Sequence, residues 1–342
     1  MKYILILLLS ILAAACEYND NLFSGKLVRV EGFEKESYLS GEMVEIDTVG
    51  TFQIDFLNSY MITTLYKLPY FIKVYDSQKR SFIGNFAYKG NGPHEFLSFS
   101  ILNQQQDSVL WVQDYYKKKL MGIDLRKSID KGVLAVRNNF DYEKVVDPLQ
   151  VFYCNDSLLL IKNLDHEKGV HYAKFNPLRP DQEVSPIFMY HTVLSQQDLN
   201  MMMSLADCLK PDGKMIASLT GVLNQIDILN LEDSTENISV KMGDGPNSIE
   251  YIRENRDKLY DYYISLPRCN DTLIFALYRN KEKNNKTEFH VISWTGKALF
   301  RLLVREDLRD FNIDWLHGKI YGVTKSDIVY VYDVNNIINS VC

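Results

Sequence analysis

The chain offers no ready-made reactive centre. Its five cysteines form no C-x-x-C pair and have no histidine cluster beside them, which argues against a zinc site. The six histidines are His94, His166, His171, His191, His290 and His317; only His166 and His171 are closely spaced, and they flank a predicted loop. There is no G-x-S-x-G elbow and no catalytic cysteine context. Basic charge is not in excess: 38 Lys and Arg face 44 Asp and Glu, a net charge of −6. That removes the electrostatic case for a nucleic-acid partner. Beyond the first sixteen residues, no apolar run is long enough to span a bilayer.

The first sixteen residues, MKYILILLLSILAAAC, are of another kind. Lys2 gives a positive start, 3–12 a short apolar stretch, and Ala13, Ala14 and Ala15 the small residues of a processing site. The run is short for a membrane anchor and reads as an export signal. A cysteine directly after small residues resembles the lipobox of bacterial lipoproteins. The resemblance implies cleavage before Cys16 and lipid attachment to it. Residues 17–25 read as a polar tether, and 26–342 as one domain.

That domain repeats a turn-then-strand phrase. It reads NSYMI at Ser59, DSVLW at Ser108, DSLLL at Ser157, DGKMI at Gly213, DTLIF at Thr272 and HGKIY at Gly318, in steps of 49, 49, 56, 59 and 46 residues. Asp in such a turn bonds its own backbone. Each phrase is followed by a returning strand, such as FIKVYD ending at Asp76 or IVYVYD ending at Asp333, and most by a further apolar run, such as 81–88, 238–242 and 298–304. With a run before each turn, this makes four strands per repeat. The fold class is therefore all-β, a six-bladed β-propeller of four-stranded blades. Only nine residues follow Asp333, too few for a full outer strand, and an unpaired edge is a liability. An N-terminal segment, 27–30 or 43–47, is expected to complete the last blade and close the ring.

Two loops share a second phrase. Gly90-Asn91-Gly92-Pro93-His94-Glu95-Phe96 follows the first blade, and Gly243-Asp244-Gly245-Pro246-Asn247-Ser248-Ile249-Glu250-Tyr251 the fourth. Glycine opens backbone angles closed to other residues and proline fixes the exit direction, so the phrase suits a rim-to-centre crossing. It lacks the Lys-Ser/Thr ending of a phosphate loop. Together with the lipobox and the six repeats, GNGPHEF resembles the TolB-like six-bladed propeller lipoproteins of Bacteroides-type bacteria, through Gly90, Gly92, Pro93, Glu95 and Phe96. The match marks structure and implies an envelope location, with the domain on an outer membrane facing the periplasm or the cell surface.

Loops between blades and loops between second and third strands open on one face. That face is expected to gather Asn91, His94 and Asn247 with Tyr66, Lys67, Tyr115, Tyr116, Lys117, Tyr278 and Arg279. Aromatics beside Lys and Arg suit a sugar, a peptide or an envelope protein, bound by a monomer without a cofactor. The alternative is a metal-dependent hydrolase or lyase with a calcium in the central channel, held by Glu95 and Glu250 three blades apart. Otherwise each glutamate caps its own loop. Cys154, Cys208, Cys269 and Cys342 read as buried thiols or as disulfide partners in an exported protein.

Overall fold

A computed structural model describes residues 25–102, 108–145, 148–165, 169–182, 184–189, 207–243, 254, 255, 258, 260–281 and 286–340. Six sheets of at least four strands form the blades of a propeller. The first blade runs Thr51–Leu57, Tyr60–Leu65, Tyr70–Asp76 and Phe82–Tyr88, each strand antiparallel to the next. Blades two to five follow in chain order. The second carries a short helix, Leu125–Lys131, between its third and fourth strands. Asp124 caps that helix by accepting from Lys127 N at 2.9 Å, and Gly132 ends it at φ 66°.

The strands are buried on both faces because each blade is packed between two others. Blade five shows how. Along Leu273–Asn280, Leu273, Phe275 and Leu277 join Phe311, Ile313 and Ile320 of blade six. The alternate residues Ile274, Ala276 and Tyr278 join Ala217, Ile226 and Ile228 of blade four. The period-two alternation of a strand thus serves two apolar interfaces at once. Blades six and one meet in a like cluster, with Tyr321, Val323 and Val329 against Ile54, Phe56 and Met61.

Between blades three and four a buried ion pair joins the packing. Lys162 Nζ lies 2.9 Å from Asp207, whose carboxylate also accepts from Ser218 and Tyr172. Gln150 Nε2 donates to Asp207 O at 2.9 Å. A buried charge needs partners of this kind.

The N-terminal segment crosses three blades. Lys26–Val30 pairs parallel with Ile238–Met242, the outer strand of blade four. Lys35–Tyr38 pairs parallel with Ala298–Leu303, the outer strand of blade five. Glu42–Met43 pairs antiparallel with Val329–Asp333 as the fourth strand of the sixth sheet. Of the two stretches expected to serve the last blade, 27–30 therefore lies elsewhere, as a fifth strand on blade four. Its Leu27 and Val28 are half-buried there, over an edge that would otherwise present unpaired backbone groups. A short helix, Asn335–Asn339, follows the last strand of blade six.

Candidate functional site: a pocket between the fourth and fifth blades

The Gly-x-Gly-Pro phrase after blade one is a packed joint. Glu95 turns back so that its carboxylate accepts from Gly92 N at 2.9 Å. Gly90, at φ 153°, leaves the room: a Cβ there would stand 2.0 Å from Glu95 Oε2. From the next blade, Lys117 Nζ donates to Gly92 O at 3.1 Å and Glu95 O at 2.7 Å, and Phe96 is buried against Phe99. Asn91 and His94 stay exposed on this joint.

Lys67, Tyr115 and Tyr116 are also exposed. Tyr66, on the neighbouring loop, meets Phe52 edge-on and donates to Phe99 O at 3.3 Å. The structure thus places Tyr66, Lys67, Asn91, His94, Tyr115, Tyr116 and Lys117 on blades one and two, whereas Tyr278 and Arg279 belong to blade five. Cys16, Asn247 and Glu250 lie outside the described residues. Among the described residues no three His, Cys, Asp or Glu side chains are grouped to hold a metal.

A pocket of ≈ 430 Å³ opens where blades four and five and the N-terminal segment meet. Blade four contributes Asn224, Met242 and Gly243; blade five contributes Tyr278, Asn280, Glu288, His290 and Arg301; residues 30–33 form a side wall. Sheet register assembles the blade-five set. Tyr278 stands opposite Glu288, and Ala276, His290, Arg301 and Glu36 form one row across four strands. Glu288 and His290, two residues apart, share the face toward blade four; Phe289 and Val291 between and beyond them face blade six.

The Glu288 and Arg301 charges in this pocket are paired with each other. Arg301 grips Glu288 with two bonds, Nε at 2.8 Å and Nη2 at 3.1 Å, and reaches Glu36 with Nη1 at 3.3 Å. His290 Nε2 lies 3.1 Å from Glu288 Oε1, and Asn280 Nδ2 donates to both carboxylate oxygens at 3.3 Å. Burial alone would raise Glu288, but the hydrogen bonds and charges of His290 and Arg301 outweigh it and bring the carboxyl down from 4.5 to about 2. Burial lowers His290, so its ring is neutral near pH 7. A neutral ring beside an ionised carboxylate carries its proton on Nε2. Nδ1, 3.2 Å from Tyr263 Oη, then accepts from that hydroxyl. Lys281, at the rim, stands over the Tyr260 ring at 5.6 Å.

Beside the Glu288–Arg301 pair the wall presents aromatic surface and one acceptor. His290 stacks on Tyr278 with centroids 4.1 Å apart and meets Phe33 at 4.6 Å; Tyr262 lies 6.0 Å from Tyr278. Burial pushes the Tyr278 hydroxyl up, so it stays protonated. Asn224 sits in the left-handed region, φ 53°, which asparagine tolerates. Its Nδ2 donates to Met242 O and reaches Tyr278 Oη at 3.4 Å, while its buried Oδ1 has no partner.

Sequence reasoning reached Tyr278 but missed Phe33, Asn224, Glu288, His290 and Arg301. One signal was present: Glu288 and His290 alternate with Phe289 and Val291 inside an otherwise apolar strand, a pattern that puts two titratable groups on one buried face. Nothing local links them to Phe33 or Asn224.

Fold and pocket together define the class: a six-bladed β-propeller with a small polar-aromatic pocket on its loop face. Solved structures share this architecture. A candidate exported protein of Bacteroides fragilis matches with a TM-score of 0.54 at 10% identity, over 91% of this chain and 98% of that one. A member of the DUF4221 family from Bacteroides vulgatus matches with a TM-score of 0.54 at 9% identity, over 86% and 97%. Identity this low speaks for the fold alone. No family model matches the chain, and no curated protein matches it. Among the described residues no helix is long and apolar enough to cross a membrane.

Proposed function

We propose that this protein is a lipid-anchored propeller of the cell envelope, of the TolB-like kind, that binds a neutral glycan segment in the pocket between blades four and five. The anchor and address rest on Cys16 and the export signal before it. The ligand rests on one observation: the Glu288 carboxylate and the Arg301 guanidinium in the pocket wall are paired with each other, yet a buried Asn224 Oδ1 has no donor. An anionic ligand would find no free guanidinium, because Arg301 is spent on Glu288 and Glu36. A sugar supplies hydroxyl donors for Asn224 and C–H faces for the tyrosine rings. The fold shared with a candidate exported protein agrees with the address.

Titration of the mature domain with a panel of neutral and acidic oligosaccharides tests this, with calorimetry as the readout. At least one neutral glycan is expected to bind, and Tyr278→Ala should weaken it about tenfold or more while the melting temperature shows the domain still folded. Tyr115→Ala, on blade two, should leave that affinity unchanged. Binding confined to acidic glycans, or binding untouched by Tyr278→Ala, would overturn the assignment.

A further inference from the structure

The inner strands of blades four and five, Asp207–Leu209 and Arg268–Cys269, lie in contact and each carries a cysteine. Cys208 and Cys269 are 61 positions apart in sequence yet share one apolar cluster with Ala217, Tyr263 and Ile274. Burial and the neighbouring Cys269 thiol both push the Cys208 thiol up. Cys269 Sγ also donates to the carbonyl of Leu209, next to Cys208, at 3.3 Å. Both are thiols in this structure. We propose that Cys208 and Cys269 are a disulfide pair that staples blade four to blade five.

The proposal rests on the export reading for its oxidant, because disulfides persist in oxidising compartments outside the cytosol. The co-reactant is a disulfide, either a small dithiol-derived molecule or a disulfide-bearing oxidoreductase. Exposure sets the order of events. Cys208 is sealed in the core, whereas Cys269 is partly exposed. The Cys269 thiolate attacks one sulfur of the oxidant and releases the other as a thiol, giving a mixed disulfide. The Cys208 sulfur then attacks Cys269 Sγ, loses its proton and expels the second thiol. Two thiols of the protein are oxidised and one disulfide of the co-reactant is reduced to two thiols, with two protons transferred. Burial pushes the Cys208 thiol up, which slows the second step in the folded domain. The bond therefore forms most readily while the chain folds. Its place is also functional: the same two blades wall the glycan pocket, and stapling their inner strands fixes the spacing of Asn224 from Tyr278.

The test is refolding of the full mature domain with oxidised and reduced glutathione, then alkylation in urea without reductant and peptide mass spectrometry. A cross-linked species joining the Cys208 and Cys269 peptides is expected, separating into two alkylated peptides after reduction and absent from Cys269→Ser. The oxidised domain should melt several degrees above its reduced form. Alkylation of both cysteines after glutathione refolding, or a bond from either to Cys154 or Cys342, would overturn the pairing. The same assay on protein from fractionated native cells separates the two readings. A bond formed by glutathione but missing from a chain found in the cytosol counts against the export reading alone, whereas a bond missing from a chain found in the envelope overturns the pair.

Discussion

At the scale of single residues, the most constrained positions are structural and the most available ones are chemical. Gly90 is of the first kind. It holds φ 153° beside the Glu95 carboxylate, so Gly90→Ala meets both backbone strain and a Cβ 2.0 Å from Glu95 Oε2. We expect it to cost about 2–4 kcal/mol in urea unfolding. Gly92→Ala should cost less, because its nearest contact would be 3.0 Å. Equal costs would show that Glu95 does not shape the joint. The spacing of Gly90, Gly92 and Glu95 already announced a turn with an acid returning to it. Lys117, which clamps that turn from the next blade, looks in the sequence like a ligand-facing cation, because sequence does not show which carbonyls a lysine will meet.

Among elements, the N-terminal segment carries the clearest consequence. It lays strands on blades four and five and supplies the fourth strand of the sixth sheet. A chain beginning at residue 39 keeps only the last of these. Amide exchange should then quicken in Ile238–Met242 and Ala298–Leu303, whose outer edges are uncovered, more than in Val329–Asp333. Uniform protection across the three would show that the added strands contribute nothing. The same truncation removes Phe33 and should weaken glycan binding. The need for an N-terminal donor was legible from the missing outer strand after Asp333. The two extra pairings were not, since Lys26–Val30 and Lys35–Tyr38 are short and at most half-buried, and sequence gives no register between a surface strand and a distant edge.

At the scale of the whole molecule, buried carboxyls on different blades make stability depend on pH in opposing directions. Burial raises Asp55 from 3.8 to about 7, although Gln53 and Asn312 donate to it. Its folded form holds a proton more tightly than the unfolded chain, so stability falls as pH rises from near 4 to near 7 and the full cost stands above that. Asp227, raised to about 7 by burial, acts in the same sense. Glu288, brought down to about 2, acts the other way: its contribution is complete above about 4.5 and is lost as pH falls toward 2. Asp55→Asn should therefore flatten the decline in melting temperature between pH 4 and 7, and gain at most about 4 kcal/mol at pH 8. An unchanged slope would mean that Asp55 does not titrate there. Blade count, the four-stranded unit and the turn grammar were all legible in the order of residues. These depend on local periodicity: side chains alternate along a strand, and turns recur where strands must reverse. Membership of the pocket was set by the fold. Phe33, Asn224, Tyr278 and His290 come from separate strands and loops, and closing the ring is what brings them together.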